Sequence, residues 1–578
     1  MARTLTGAEI VVRALEDEAI PFTFGIPGTH NIELYDALSR SDAVRAVLVT
    51  DEQGASFMAD GVSRASGALG CLNLVPGAGV THAMSGIAEA FLDGIPLLVL
   101  ACGVRTDSDK AYQLHDVDQT AMVAPVTKAR LHPADGRDLY ATVRRACRIA
   151  RRPPAGPVFV EVPVNLYLFR HDPNFEGWQP EPDRPVEPPA RELAKVRSLL
   201  ENARRPLIYL GLGAAGAAER LVELAERLEA PVATTFQGKG VFPERHPLWL
   251  WPGFGTAAPP FVRETASSCD LTLAIGCRFS EVGTGSYGLE PPGPLVHVDI
   301  DPEVLDRNYP TDVEIVADAA AFVAALLDGL PDRDPDPALR RSIAEGHDDV
   351  QARWSNPPET GRVAPPLLLQ TVQALYGPEA VFTADSGNGT FLAMECLRLD
   401  QPRSFLAPVD YSCMGYSVPA AVGAALACPG RRAVALAGDG AFLMTGLELL
   451  TAAQLDVPLT VIVLRDQELA QIAQFQQTAL ARKTASRLPD YDLEALSRAT
   501  GADYLPLPRN REVEEVLRQA LAGHDAGRRV VVEAAVDYST PTYFTRGVVR
   551  TNLGRLPWPE RLRFVARALA RRVPGLGG

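Results

Sequence analysis

Short apolar runs alternate with longer stretches of helical apolar spacing along most of the chain. In the first part of the chain this pattern predicts strands at residues 22–26, 44–49, 72–75, 97–101 and 158–162. Amphipathic helix patterns lie between these runs, and the first helix opens at the sequence Thr6-Gly7-Ala8-Glu9. Strands that alternate with helices predict a parallel sheet with helices on both faces.

The clearest example of this pattern lies between residues 431 and 474. Residues 434–437 and 457–464 read as two strands, and a helix pattern at 442–455 separates them, with Glu448 and Gln454 off its apolar face. Because parallel strands bring their following loops to one edge of the sheet, Asp439 and Asp466 are expected to lie at the same edge.

Two carboxylates at one sheet edge, beside free backbone N–H groups and a helix N-terminus, could hold Mg²⁺ and a diphosphate. The glycines of Gly438-Asp439-Gly440 would free those N–H groups. The alternative is a simple turn with two solvated acids.

Composition shifts divide the chain into three α/β units. We predict domains at residues 1–172, 191–345 and 365–537, linkers at 173–190 and 346–364, and a basic tail at 538–578. In the second unit, strands are predicted at 206–210, 232–236, 271–275 and 296–298. The predicted fold class is therefore α/β, with three doubly wound parallel-sheet domains.

Composition mainly excludes other classes of protein. The formal net charge of −15 argues against nucleic-acid binding. No apolar run approaches the length of a membrane span, and the N-terminus lacks the apolar core of a signal peptide. The eight cysteines are scattered without a CxxC pair, which favours reduced thiols in a cytoplasmic enzyme.

A GxGxxG sequence at residues 211–216 follows a predicted strand, as in dinucleotide sites. Such a site also needs an acidic residue after the next strand, but that strand is followed by Gln237. A tightly packed turn is therefore the favoured interpretation.

The stretch GDGAFLMTGLELLTAAQLDVPLTVIVLRD resembles the thiamine diphosphate (ThDP) motif of the acetolactate synthase, benzaldehyde lyase and pyruvate decarboxylase superfamily. The resemblance implies that Asp439, Asp466 and the backbone carbonyl of Glu468 bind Mg²⁺. It also implies that the cofactor lies against Gly438, Asp439, Gly440, Ala441, Asp466 and Glu468. Asp466 replaces the usual Asn, and its extra charge should be costly unless Arg465 or another base offsets it.

Further loops carry the same resemblance. FGIPGTH and LVPGAGVTH place Pro27, Gly28, Pro76 and Gly77 at the cofactor, with His82 where Asn is usual. Two later stretches extend the resemblance: DSGNG, which contains Asn388, and SCMGYSVPAAVGAALA, which contains Met414. The resemblance implies that both residues lie at the cofactor and that Met414 holds it bent. The alternative for Met414 is ordinary packing.

VTDEQGASFMADG resembles the stretch that contains the catalytic glutamate of the superfamily, here Glu52. A carboxyl group in a largely apolar pocket can share a proton with N1′ of the cofactor, which ThDP needs when its C2 carbon loses a proton. Without the resemblance, Glu52 would be interpreted as an acid at a helix N-terminus.

The fate of the reaction is expected to depend on three further side chains. His30 aligns with a histidine of benzaldehyde lyase-like enzymes, and Thr29 stands where pyruvate decarboxylases have Asp. KAYQLHDVDQTAMVAPVTK resembles a loop whose Gln points at the thiazolium, and its length leaves Gln113 and His115 both eligible. Phe475 lies near the position of a Trp that acetohydroxyacid synthases use for acceptor choice.

The resemblance implies a ThDP- and Mg²⁺-dependent carboligase that acts on a pyruvate-like 2-keto acid and an aldehyde or ketone. The alternatives are a 2-keto acid decarboxylase or acyloin lyase, and a ThDP-fold protein without turnover. It also implies at least a homodimer, often a tetramer, with each active site between two subunits. The central domain binds FAD in acetolactate synthases, so FAD is possible here.

Overall fold

The computed structural model describes residues 4–571 except 181, 183, 356, 358 and 359. Residues 572–578 of the predicted tail, and parts of both predicted linkers, therefore lie outside the described residues. Three six-stranded sheets, each with all of its strands parallel, form the core of the chain. This architecture confirms the predicted α/β fold class.

The first sheet has the strand order β3-β2-β4-β5-β7-β6, and a short antiparallel pair, β1 and β8, lies beside it. Its first helix begins with a capping box, in which Thr6 and Glu9 bond each other's backbone N–H. The elements are β1 Leu5–Thr6, α1 Gly7–Asp17, β2 Phe22–Gly25, α2 Ile32–Leu38, β3 Arg45–Leu48, α3 Glu52–Ser66, β4 Gly70–Leu74, α4 Ala78–Asp93, β5 Leu97–Gly103, α5 Gln119–Val123, β6 Ala129–Leu131, α6 Leu139–Arg151, β7 Pro157–Pro163, α7 Val164–Leu168 and β8 Arg170–His171.

The second sheet has the order β11-β10-β9-β12-β13-β14. Its last helix, α12, ends at Ser355, inside the range expected as the second linker. The elements are α8 Ala190–Asn202, β9 Pro206–Leu210, α9 Ala218–Leu228, β10 Val232–Thr234, β11 Trp249–Pro252, α10 Pro260–Ser267, β12 Leu271–Ile275, β13 Leu295–Asp299, β14 Val313–Val316, α11 Ala319–Leu327 and α12 Pro337–Ser355.

The third sheet has the order β16-β15-β17-β18-β20-β19, with two helices after its last strand. The elements are α13 Pro365–Tyr376, β15 Val381–Ala384, α14 Asn388–Cys396, β16 Phe405–Leu406, α15 Ser417–Ala427, β17 Ala433–Gly438, α16 Asp439–Thr445, α17 Leu449–Gln454, β18 Leu459–Arg465, α18 Ala470–Leu480, α19 Leu493–Ala499, β19 Asp503–Leu507, α20 Val513–Asp525, β20 Arg529–Ala535, α21 Tyr543–Arg555 and α22 Trp558–Ala570.

The first and third domains pack directly on each other through α3 and α15. Gly61 and Gly423 make this approach possible, since a Cβ at Gly61 would lie 2.3 Å from the carbonyl oxygen of Ala420, and one at Gly423 would lie 2.1 Å from that of Met58. The backbones of the two helices are therefore in contact, which brings the start of α3 close to the third domain.

The helix expected at residues 442–455 differs from the prediction in two ways. It is split into α16, a 3-10 turn at Gly446–Glu448 and α17. Glu448, which the pattern placed off the apolar face, is fully buried. The reason is that its carboxylate accepts hydrogen bonds from the backbone N–H groups of Thr50 and Asp51, just before α3. Four apolar side chains of this stretch are instead exposed: Leu443, Met444, Leu447 and Leu450.

All eight cysteines are free thiols, as the sequence predicted. Within the described residues, none of the helices has both the length and the apolar character needed to cross a membrane.

Candidate active site

Asp439 is the first residue of α16, directly after β17. Its Oδ1 accepts a hydrogen bond from the N–H of Gly440 at 2.9 Å, and its Oδ2 accepts one from the N–H of Gln467 at 2.7 Å. Gln467 follows β18, the neighbouring parallel strand. The structure therefore brings the two loops to one sheet edge, as the strand pattern predicted.

Asp466 lies in the second of these loops, and its Oδ1 accepts a hydrogen bond from the N–H of Glu468 at 3.2 Å. Burial raises the pKa of Asp466 to about 7, and the negative charge of Asp439 adds to the rise. Among the described residues, neither carboxylate forms an ion pair with a basic side chain. The two acids thus repel each other, and no described basic side chain lies within ion-pair distance of either carboxylate.

Arg465 does not offset the charge of Asp466. Its guanidinium bonds the carboxylates of Glu533 and Asp490, each at 2.7 Å. The base whose charge does act on Asp466 is Arg362, which lowers the pKa of that carboxyl against the stronger effect of burial.

Glu468 turns its side chain toward two bases. Lys483 forms an ion pair with its carboxylate, and Arg487 lies 3.8 Å from it. This arrangement occupies the carboxylate and agrees with a role for Glu468 through its backbone rather than its side chain.

The loop that contains Met414 is held by Asp385, a buried acid that the sequence analysis did not single out. Asp385 accepts hydrogen bonds from the N–H of Gly415 at 2.8 Å and from the N–H of Ser417 at 3.0 Å. Gly415 has a φ of +87°, and a Cβ there would lie 2.9 Å from Thr445. Glycine is therefore required at position 415, where the loop passes α16. The neighbouring Met414 is half-buried.

Asn388 opens α14 and is buried, and its amide donates to Oε1 of Gln474 at 3.4 Å. The preceding Gly387 has a φ of +113°.

Gly438, directly before α16, is surrounded by open space, because a Cβ there would meet no atom within 4 Å. Ala441 is buried in α16.

In the first domain, Glu52 is the first residue of α3 and is 6% exposed. Its Oε2 lies 3.3 Å from Nδ1 of His82, on α4. Helix capping is done by Asp51, whose Oδ1 accepts the N–H of Gln53 at 2.7 Å. The carboxylate of Glu52 is therefore not needed to cap the helix.

The glycine loops of the first domain lie at strand ends. Gly28 donates its N–H to Oδ1 of Asn31 at 2.7 Å, and the neighbouring Pro27 is exposed. Pro76 and Gly77 are buried before α4, and Gly77 has a φ of +64°. Gly77 donates its N–H to Oε1 of Gln119 at 3.0 Å.

His30 and His115 face each other, with ring centroids 5.4 Å apart. Burial lowers the pKa of His30, and His115 lowers it further. The backbone oxygen of His115 would lie 3.3 Å from a Cβ at Gly77. The amide of Gln113, in contrast, donates to the carbonyl of Arg105 in its own loop at 2.9 Å. Of the two eligible residues, the structure brings His115 to His30.

Three side chains that support this geometry were missed by sequence reasoning. Gln119 is buried and bonds both Gly77 and the carbonyl of Cys102. The hydroxyl of Tyr491 donates to the carbonyl of Asp439 at 3.3 Å. Glu448 is the third. The roles of these three side chains depend on contacts between loops and between domains, which the strand and helix pattern does not encode.

Within the described chain, no hydrogen bond or ion pair joins Glu52 or His30 to Asp439 or Asp466. The structure thus contains two groups of predicted site residues. One lies on the first domain and the other on the third.

Packing explains the first two glycines of the GxGxxG sequence. A Cβ at Gly211 would lie 2.0 Å from the carbonyl oxygen of Gly276, and one at Gly213 would lie 2.9 Å from the Cα of Gly276, whereas a Cβ at Gly216 would meet no atom within 4 Å. Gly211 and Gly213 nevertheless line a cavity of about 510 Å³ between the three domains, together with Arg278, Asp299 and other residues.

The predicted site residues thus lie in loops at the ends of parallel strands, where α/β proteins bind their ligands. Family models described as thiamine pyrophosphate enzyme match the chain in three places. The N-terminal TPP binding domain matches residues 5–122, the central domain residues 193–326, and the C-terminal TPP binding domain residues 385–534.

Relatives cover almost the whole chain. An acetolactate synthase of Mycobacterium bovis is 31% identical over 90% of this chain and 87% of its own length. A probable acetolactate synthase large subunit of Methanocaldococcus jannaschii is 30% identical over 90% of both chains. A probable 2-ketoarginine decarboxylase of Pseudomonas aeruginosa is 33% identical over 92% of this chain and 94% of its own. The chain belongs to the thiamine pyrophosphate enzyme family, and it is a ThDP-dependent enzyme of the acetolactate synthase-like kind.

Proposed function

We propose that this protein is a ThDP- and Mg²⁺-dependent carboligase that joins a 2-keto acid donor to a second carbonyl compound. The observation that carries the proposal is the pair formed by His30 and His115 beside Gly77. The backbone of His115 lies at the loop that would face the cofactor, and its ring lies beside that of His30, where the second carbonyl would be held in this proposal.

The donor set at the third domain fits Mg²⁺. Asp439 and Asp466 provide carboxylate oxygens, which are the ligands this cation prefers. They also lack an ion-pair partner among the described residues, so a divalent cation would supply the missing positive charge. The N-terminus of α16 would face the diphosphate.

Bound ThDP would stabilise the carbanion that forms from the 2-keto acid donor and attacks the second carbonyl. In this proposal, Glu52 shares a proton with the pyrimidine ring of the cofactor, and its burial separates that proton from water. Met414 supports the cofactor from a loop that Asp385 holds in place.

The two histidines favour ligation. The depressed pKa of His30 keeps its ring neutral near pH 7, so it can donate a hydrogen bond without adding a charge to the pocket. A developing alkoxide on the second carbonyl needs such a donor about 3 Å away. His115 is the second donor candidate, and Gln113 is turned to its own loop.

Product analysis tests the proposal. Purified protein is incubated with ThDP, Mg²⁺ and a panel of 2-keto acids, with and without an aldehyde acceptor. A carboligase gives a 2-hydroxy ketone or acetolactate-type product. Free aldehyde as the sole product would overturn the ligation proposal, and no consumption of any keto acid, with ThDP bound, would identify a protein without turnover.

Simple decarboxylation is the second candidate, favoured by the 33% identity to the probable 2-ketoarginine decarboxylase. The panel should therefore include a 2-keto acid with a guanidinium group. Release of the corresponding aldehyde, without ligation, would favour this candidate.

We further propose a homo-oligomer with the active site between subunits. The exposed side chains of Leu443, Met444, Leu447 and Leu450 form an apolar patch directly after Asp439. Such a patch marks an interaction surface, and a second copy would bring its first domain to the Asp439 loop. Light scattering of the wild type and of Leu447→Glu would test this, with loss of both association and ThDP binding expected.

The cavity of about 510 Å³ has the size of a ligand site, and we propose that it holds FAD. Arg278 is the base available for the phosphates, although it now contacts Asp410 at 3.1 Å. Flavin absorption released from the denatured protein would support this. Colourless protein after reconstitution with FAD would remove FAD from the proposal.

A further inference from the structure

The carboxylate of Glu52 has an asymmetric environment. Its Oε2 lies 3.3 Å from Nδ1 of His82, and its Oε1 would lie 3.0 Å from a Cβ at Gly79. Among the described residues, His82 is the one side chain that makes a polar contact with this carboxylate. One oxygen thus lies 3.3 Å from an imidazole nitrogen, a distance at which a ring N–H can donate a hydrogen bond, while the other lies against a glycine.

We propose that His82 is a positioning residue for Glu52, which it holds through a hydrogen bond from its ring N–H to Oε2. This inference rests on the proposed function, in which Glu52 shares a proton with the cofactor. The bond leaves Oε1 free for that proton. The contact also links α3 to α4, whose first turn follows the Gly77 loop.

A glutamate side chain needs such a contact because three rotatable bonds separate its carboxylate from the backbone. The N-terminal position of Glu52 does not fix the carboxylate, since Asp51 already caps α3. A proton transfer requires the acid within hydrogen-bond distance of its acceptor, and small misplacement is costly to rate. A fixed imidazole would remove that freedom.

The exchange of the usual Asn for His is compatible with this role. In both side chains a nitrogen is bonded directly to Cγ, Nδ2 in Asn and Nδ1 in His. Both residues can therefore donate a hydrogen bond from about the same place. We therefore expect His82→Asn to retain function and His82→Ala to lose it. A residue that only fills space would not show this difference in donor chemistry.

The experiment compares His82→Ala, His82→Asn and a matched control, His132→Ala. His132 forms a similar histidine–glutamate pair on the same domain, with Nδ1 3.5 Å from Oε2 of Glu161. The main readout is the rate at which the C2 proton of bound ThDP exchanges with deuterium in the absence of substrate. ThDP affinity is measured in parallel by calorimetry.

We expect His82→Ala to slow this exchange about 10- to 100-fold, with ThDP affinity little changed. His82→Asn should stay close to the wild type, as should His132→Ala. The inference is overturned if His82→Ala exchanges at the wild-type rate, or if His82→Asn is slowed as much as His82→Ala.

A second readout needs no cofactor. The chain has nine histidines, so ring ¹³C labelling gives few signals, and the one lost in His82→Asn identifies His82. In cofactor-free protein this signal should move in Glu52→Gln and stay in place in Glu161→Gln. An unmoved signal in Glu52→Gln would show that the contact does not exist in solution.

The exchange rates of the Glu52 and His82 variants distinguish a failure of the proposed function from a failure of the positioning role of His82. Fast C2 exchange in Glu52→Gln would remove Glu52 from the proposed function, and with it the reason for positioning it. Slow exchange in Glu52→Gln together with normal exchange in His82→Ala would leave the proposed function standing and overturn the inference about His82 alone.

Discussion

Oδ2 of Asp439 accepts a hydrogen bond from the backbone N–H of Gln467 at 2.7 Å, and this bond ties together the loops that follow β17 and β18. Gln467 has a φ of +63°, a left-handed conformation that is unusual for a residue other than glycine. The carboxylate therefore has a structural role in the loop besides its proposed role at the metal.

The first prediction concerns these two roles. Asp439→Ala removes a metal ligand and the acceptor for Gln467, so Mg²⁺-dependent ThDP binding should weaken by at least about tenfold. Asp439→Asn keeps one acceptor oxygen but loses the charge, and its loss should be smaller. Calorimetric titration with ThDP and Mg²⁺ would check this. Unchanged affinity in Asp439→Ala would exclude Asp439 as a ligand.

The second prediction concerns Asp466. Asp466→Asn removes a charge that repels Asp439 and that would lie near the diphosphate in the proposed site. Binding of ThDP and Mg²⁺ should stay equal or become tighter, because an amide oxygen can still bind the cation. Asp466→Ala, with no oxygen, is the matched variant and should bind more weakly. If the Asn variant loses binding and the Ala variant keeps it, Asp466 is not a simple oxygen ligand.

The adjacency of Asp439 and Asp466 could be predicted because parallel strands deliver their loops to one sheet edge. The burial of Glu448 could not, since its backbone partners lie almost four hundred residues earlier in the chain. The choice between Gln113 and His115 also depends on loop geometry, because His115 has a φ of +66° that no periodic pattern encodes. Sequence periodicity describes regular elements, whereas these residues lie in turns or in contacts between domains.

The third prediction concerns Glu52, the acid that is proposed to share a proton with the cofactor. Glu52→Gln should bind ThDP with little loss but lose activity by at least about 10²-fold, because an amide cannot relay the proton. Steady-state rates and calorimetry on the same preparation would separate the two effects. Turnover close to the wild type would contradict the assignment of Glu52.

The fourth prediction concerns pH and stability. Burial raises the pKa of Glu89 from 4.5 to about 9, and the negative charge of Asp93 adds to the rise. Between these values the folded state holds a proton that the unfolded state has lost, so the free energy of unfolding should fall as pH rises. One proton corresponds to a slope of about 1.4 kcal/mol per pH unit.

Glu89→Gln removes this titration, so thermal midpoints measured across the same pH range should fall less steeply than in the wild type. Glu201, an exposed acid on α8, supplies the control variant Glu201→Gln, whose pH profile should follow the wild type. Identical slopes in the wild type and in Glu89→Gln would show that Glu89 is not protonated in the folded state.

The last prediction concerns the fate of the carbanion, which either takes a proton or attacks a second carbonyl. The attack produces an alkoxide that a neutral ring of His30 can stabilise with a hydrogen bond, since burial and His115 lower the pKa of His30. His30→Ala should therefore lower C–C bond formation more than consumption of the keto acid, and the aldehyde fraction should rise. Because His115 faces His30 whereas the amide of Gln113 bonds Arg105, His115→Ala should change the product ratio more than Gln113→Ala. Gas chromatography of both products would decide, and an unchanged ligation-to-aldehyde ratio in His30→Ala would mean that its ring only packs in the loop.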